Sequence, residues 1–375
     1  MAEAVTEPHT IYRSTERIPT YMQALVKPGP APGAALATVP VPALGSHDVL
    51  IKVRAASICG TDLHIYSWDP WAQGRFHPPM VFGHEFAGDV VAVGSEVTSV
   101  EPGAYVAAES HIVCGECYEC RHGLAHICRR VQIIGVDRPG AFAEYVAIPE
   151  RNAWPTNPRF PPRIATIQEP MGNAVHTALS APLAGSSVAI FGAGPIGLFT
   201  VPIARASGAK KIITVEPSEF RRDLAARIGS DVVINPLTDN VVHRIMEETE
   251  GEGVDVVLEM SGNPLAIAQG LKALRYGGFV SMLGIPSRPV EVDLADGVIF
   301  KGATVQGISG RRMFETWYQT RGFLESGMDL TSLITHQMPL TEFELAFELV
   351  RTGQSGKVVM YPNGEPEAQA AEGVH

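Results

Sequence analysis

The chain has 375 residues, 45% of them apolar and 18% charged, with a formal net charge of −11. That length exceeds one small core and fits two domains, and the balance is that of a globular, soluble chain. The acidic excess argues against nucleic acid, whose phosphates it would repel, and no run of 18 apolar residues suggests a membrane span.

Residues 1–21 carry Glu3, Glu7, Arg13, Glu16 and Arg17 with no apolar stretch, which does not fit a secretory signal; a flexible extension is expected. A cytoplasmic setting is expected, where the five cysteines stay reduced. Residues 22–181 read as an irregular β-rich domain, with strands at Val49–Ala55, Phe86–Val93, Ala104–Ala107 and Phe142–Ile148 punctuated by proline and glycine.

Two cysteine patterns lie in this stretch. Cys59 stands in Ile58-Cys-Gly-Thr-Asp-Leu-His64, followed by Gly83-His84-Glu85 and, farther on, Gln168-Glu169-Pro170. A thiolate, an imidazole and a carboxylate make a three-ligand zinc site with an open position for substrate. The plainer reading leaves Cys59 a small buried hydrophobe and His84 an ordinary core histidine. Cys114, Cys117, Cys120 and Cys128 form C-x2-C-x2-C-x7-C in a loop rich in glycine and charge. Two-residue gaps let thiolates converge on one tetrahedral ion, and four of them leave no open position. A disulfide pair and an iron–sulfur cluster compete with that reading. A reducing compartment disfavours the first, and the spacing suits closed zinc better than the second.

At residue 182 the pattern turns to alternating strands and helices. The strand Val188–Phe191 runs through Gly192-Ala-Gly194-Pro195-Ile196-Gly197 into a helix ending near Ser207. Gly192 allows the tight turn, Gly194 lets backbone approach a pyrophosphate, and Gly197 lets helix pack on strand. The helix N-terminus offers free N–H groups to the phosphates. A second strand, Lys211–Val215, ends in Glu216, whose carboxylate suits the two hydroxyls of an adenosine ribose. Helix Ser218–Ile228, strand Val232–Ile234, helix Val241–Glu248, strand Val254–Glu259, helix Leu265–Leu274 and strands Phe279–Leu283 and Thr304–Gly307 complete a six-stranded parallel sheet over 182–309. NAD is the expected cofactor, although Arg221 and Arg222 nearby are able to bind a 2′-phosphate. After about Gly310 the alternation is lost, and Gly356–Met360 reads as a closing strand that rejoins the first domain. Residues 363–375 read as a polar tail.

Taken in order, the Cys59 motif, Gly83-His84-Glu85, the four-cysteine loop and the glycine turn resemble the zinc-dependent medium-chain alcohol dehydrogenase family. The resemblance runs from about Met22 to Tyr361. It implies an α/β protein: a GroES-like β-rich catalytic domain over 22–181 and 310–362, and a Rossmann doubly wound domain over 182–309. It also implies a homotetramer, NAD and two zinc ions. Cys59, His84 and Glu169 match the catalytic zinc ligands, with Glu85 beside them and the choice between the two glutamates open. The four cysteines of the loop match the structural site. Thr61 and His64 match a hydroxyl-to-imidazole proton path, against a helix cap and a surface histidine as their plainer roles. Arg221 lies along the adenosine side. The chain has no second cysteine to spare for catalytic zinc, which points to the polyol- and threonine-oxidising branch. The implied activity is oxidation of the 3-hydroxyl of L-threonine, with a polyol or butanediol as alternative substrate. Glu85, Glu169 and His111 are candidate substrate contacts, and Tyr66, Trp68 and Trp71 candidate pocket walls.

Overall fold

The computed structural model describes residues 12–364. An eight-stranded sheet organises the first half, running through Ala153–Pro155, Tyr105–Ala108, Glu85–Gly94, Asp48–Ser57, Lys357–Tyr361 and Ile334–Pro339. Along Asp48–Ser57 only Arg54 is exposed, so this run is a strand covered on both faces. Its register decides where the chemistry lies. Ser57 stands opposite Glu85 on one side and Val359 on the other. Cys59 and His84 therefore emerge at the same end of the sheet, and the C-terminal strand is laid beside them.

The second half is a parallel sheet in the order Val232–Ile234, Lys211–Val215, Ser187–Phe191, Val254–Glu259, Leu274–Met282, Thr304–Gly307. All of Ser187–Phe191 is buried, as a central strand with helices on both faces must be. Helix starts follow side-chain caps: Ser218 accepts from Arg221 N, Asn240 from His243 N, and Asn263 from Leu265 N and Ala266 N. Helix Gln168–Leu179 lies where the halves meet, and one buried cluster joins Ala55, Met171 and Val359 to Val188, Ile190 and Leu198.

The α/β class and the six parallel strands are as expected. Two local expectations differ. The 1–21 extension is partly docked, because Tyr12–Ser14 pairs antiparallel with Ala92–Gly94 and Arg13 Nη1 reaches Glu101 at 2.7 Å; residues 1–11 lie outside the described residues. The strand placed at Phe279 begins at Leu274, where it pairs with Val254 ahead of a register shift. Gln168–Leu179 is a helix that contains Pro170 and Gly172, and a Cβ at 172 would meet the Arg311 side chain at 2.7 Å. Of the polar tail, Asn363 donates to Val53 O at 3.0 Å and Glu144 O at 2.7 Å, and residues 365–375 lie outside the described residues.

Candidate active site

The four loop cysteines converge. Their Sγ atoms are 3.4 Å (117–120), 3.5 Å (114–128), 3.6 Å (117–128) and 4.0 Å (114–120) apart. A disulfide needs about 2.0 Å; a tetrahedron of sulfurs about 2.3 Å from one zinc has edges of about 3.8 Å. All four are free thiols in a set that fits a single ion, whereas a cluster would spread them over several irons. Backbone N–H groups of Cys117 and Arg130 donate to Cys114 and Cys128 sulfur at 3.4 Å each, as thiolates favour.

Cys59, His84 and Glu85 make the second set, their ligand atoms all within 4.8 Å of one another. Cys59 is the N-cap of helix Gly60–Ser67, and Asp62 shapes the site from inside that helix. Its Oδ2 accepts from Cys59 N at 2.8 Å, and its Oδ1 lies 3.4 Å from His84 Nδ1. One buried carboxylate thus fixes the backbone of the thiol by a hydrogen bond and faces the imidazole as a charge, where a metal-binding histidine usually finds its support. Burial opposes protonation of His84, but the charges of Asp62 and Cys59 outweigh it and raise its pKa. Glu85 is wholly buried; burial raises its pKa and Glu169 adds to this, while Lys357 opposes. Glu85 Oε1 is buried without a hydrogen-bond partner. An unpaired buried oxygen beside a thiol and an imidazole fits a divalent cation with three ligands.

Glu169 lies outside that set. Its Oε1 accepts from Ser110 Oγ at 2.6 Å and pairs with the charge of Arg311, whose Nη1 lies 2.7 Å away. Arg311, 1% exposed, also grips Glu109 through Nε at 3.0 Å and Nη2 at 2.5 Å, and Trp317 Nε1 donates to Glu109 at 2.6 Å. Burial opposes these charges, yet their mutual attraction holds Glu109 low and Arg311 high. Sequence reading missed this network; its partners stand about two hundred positions apart, and no local motif marks them.

Thr61 Oγ1 lies 4.0 Å from Cys59 Sγ. One helical turn on, His64 is exposed, with Nδ1 2.5 Å from Asp69 Oδ2. Thr61 thus stands beside the cluster and His64 at the solvent edge, three positions on in the same helix. Asp69 also accepts from Ala72 N, so the carboxylate is fixed before it meets the imidazole. His111 is 3.2 Å from Arg311 Nη2, and burial with that guanidinium lowers its pKa to about 4, so it is neutral at pH 7. Of the expected pocket walls, Tyr66 stacks on Phe347 at 4.3 Å and Trp68 packs on the same core, while Trp71 is 40% exposed beside His64. Tyr66 and Trp68 are half-buried and packed against the core of the first domain.

The glycine turn opens on a cleft of about 450 Å³ lined by Gly192, Gly194, Glu216, Arg221 and Ser261. Gly192 has φ +95°, a Cβ at Gly194 would meet nothing within 4 Å, and one at Gly197 would strike Gly192 O at 2.0 Å. Each glycine is needed for a different reason: turn, open approach and close packing. Glu216 accepts from Ala193 N at 2.7 Å and Ser218 N at 2.9 Å, which fixes its carboxylate at the cleft. Pro195 and Ile196 begin the helix at the turn. Arg222 is spent on the carbonyls of Glu216 and Pro217, and Arg221 Nε on Ser355 O at 3.2 Å.

Residues 45–158 match the family model described as alcohol dehydrogenase GroES-like domain, and residues 195–326 that of zinc-binding dehydrogenase. The L-threonine 3-dehydrogenase of Symbiobacterium thermophilum is 53% identical over 91% of this chain and 98% of its own length. That of Caldanaerobacter subterraneus is 52% identical over 91% and 99%. A putative zinc-binding dehydrogenase of Sinorhizobium meliloti, solved bound to NADP, superposes with a TM-score of 0.84 at 30% identity, covering 92% of this chain and 100% of that one.

Proposed function

The chain belongs to the zinc-dependent medium-chain alcohol dehydrogenase family, among its L-threonine 3-dehydrogenases, and from this premise we propose that it oxidises L-threonine at the 3-hydroxyl. The products are 2-amino-3-oxobutanoate, NADH and a proton. The carrying observation is the division of five cysteines into a closed set of four and one thiol grouped with His84 and Glu85. We assign the closed set to structural zinc, and Cys59, His84 and a carboxylate, Glu85 or Glu169, to catalytic zinc.

When bound, zinc supplies the Lewis acidity that lowers the pKa of a substrate hydroxyl, and the nicotinamide accepts the hydride. The chain does the rest. Thr61 takes the hydroxyl proton and passes it toward His64, which Asp69 holds at the solvent edge. Cys59 and His84 are kept in place by Asp62, and buried Glu109 fixes Arg311 against Glu169. Glu169 and Glu85 are the anionic groups available to a substrate ammonium, with His111 beside them. A site that pairs that ammonium rejects alcohols lacking it, because its own polar groups would be left unpaired.

Glu216 at the cleft selects NAD, since a 2′-phosphate would meet a buried carboxylate. Initial rates with L-threonine, D-threonine, L-serine, sorbitol and 2,3-butanediol test the reading. L-Threonine with NAD is expected to lead sorbitol and butanediol by about tenfold or more, and NADP by about 100-fold. A lead for a polyol or butanediol sinks the substrate assignment and leaves the zinc dehydrogenase standing; equal use of NADP sinks the role of Glu216.

The assembly we propose is a homotetramer. Its support is the edge strand Thr304–Gly307, exposed throughout, with Tyr276, Ile299, Phe300 and Val305 apolar and exposed. Sedimentation is expected to give four chain masses; a monomer would refute this. Reduced thiolates in both zinc sites suit the cytoplasm, and no helix among the described residues is long and apolar enough to cross a membrane.

A further inference from the structure

Two carboxylates at the Cys59 site are fastened in the same manner, each by one buried cation and one serine hydroxyl. Glu169 Oε1 is held by Arg311 and Ser110. Glu85 Oε2 is held by Lys357 Nζ and Ser57 Oγ. The outcome differs. Glu85 remains in the ligand set with Cys59 and His84, one oxygen tied and the other, Oε1, buried and unpaired; Glu169 does not join that set.

Lys357 is the unexpected member. It is 1% exposed in a strand whose following residues, Val358, Val359 and Met360, are wholly buried and apolar. Packing alone calls for another hydrophobe there, and a buried cation costs solvation that an aliphatic side chain does not. Lys357 Nζ also donates to Ile58 O at 2.9 Å, the carbonyl immediately before Cys59. One ammonium therefore touches both the backbone that carries the thiol and the carboxylate beside it. Strand pairing of Val359 with Ser57 brings it there, across about 300 positions of chain.

We propose that Lys357 is a positioning residue that limits how strongly Glu85 binds zinc. By occupying Oε2 it leaves Glu85 a one-oxygen donor, and its charge sits next to the divalent ion. Both effects keep the ion a stronger Lewis acid and more loosely held than thiolate, imidazole and free carboxylate would. Without Lys357, Glu85 has two oxygens to offer and the site is one positive charge poorer. The inference rests on the reading that Cys59, His84 and Glu85 hold the catalytic zinc.

The test is zinc release from the full-length, zinc-loaded protein into excess chelator, followed with a zinc indicator dye. The wild-type chain is expected to release two ions, the phase absent from Cys59→Ser being the catalytic one and the other an internal reference. In Lys357→Met the catalytic phase is expected to slow by about tenfold or more, from the loss of one charge beside a divalent ion. The reference phase stays unchanged, and kcat falls while the KM for NAD holds. Lys357→Arg restores wild-type release. Ser57→Ala, which removes the other grip on Oε2 without changing charge, slows the same phase by a smaller factor and decides the matter if Lys357→Met does not fold. An unchanged or faster catalytic phase in Lys357→Met, or in Ser57→Ala where that variant decides, overturns the inference. A wild-type chain that releases only one zinc overturns the parent reading instead.

Discussion

Replacing Cys59 by serine is expected to lower turnover of L-threonine roughly 10³-fold, equivalent to about 4 kcal/mol of transition-state stabilisation. The loss comes from the ligand set. Cys59 supplies its only thiolate, and its position is fixed by Asp62 from one side and by the strand end at Ser57 from the other. Serine fits the same space and keeps the backbone donor to Asp62, so the fold should survive. Thermal melting within about 2 °C of wild type, together with the rate loss, separates a lost ligand from a lost fold. Near-normal turnover in Cys59→Ser would remove Cys59 from the metal site.

Cys117→Ser is expected to act in the opposite sense, on stability before chemistry. Cys117 is buried at the centre of the four-sulfur set, with Cys120 and Cys128 at 3.4 and 3.6 Å. Little else holds the lobe: its buried cluster consists of Val113, Cys117 and Cys128, with Met313 and a few half-buried side chains packed on it. Metal binding is then the folding energy of the segment. Loss of one thiolate should release the ion, open residues 114–128 to proteolysis and lower the melting midpoint by about 5 °C or more. Retention of that zinc with unchanged melting would refute a structural role.

What the sequence disclosed follows chemical specificity. Glycines in the 192–197 turn, thiols in the loop and the Cys59 motif each have few alternative uses, so they could be read locally. The parallel strands were equally legible, because their buried β-branched runs alternate with capped helices. The supports were not. Asp62, Ser57, Glu109, Arg311 and Lys357 are ordinary polar residues whose meaning comes from partners far along the chain, Arg311 to Glu109 across 202 positions and Lys357 to Ile58 across 299. One signal was available: a lysine inside the apolar run Gly356-Lys-Val-Val-Met360 is costly unless something buried pairs it. Tyr66 shows the same limit from the other side. Beside Trp68 and near the motif it was a candidate pocket wall, and its stacking partner Phe347, from a distant helix, could not be read locally. Helix Gln168–Leu179 carries Gly172, a weak helix signal, and the close approach of Arg311 that this glycine permits is invisible from the helix itself.

Zinc content per chain, measured on the purified wild type, Cys59→Ser and Cys117→Ser, tests most directly the claim that five cysteines serve two different ions. The account predicts two equivalents in the wild type and one in each variant, with the ion kept by Cys59→Ser being the one lost by Cys117→Ser. One equivalent in the wild type, unchanged in Cys59→Ser, would contradict it and leave a zinc-stapled nucleotide-binding protein without a catalytic metal.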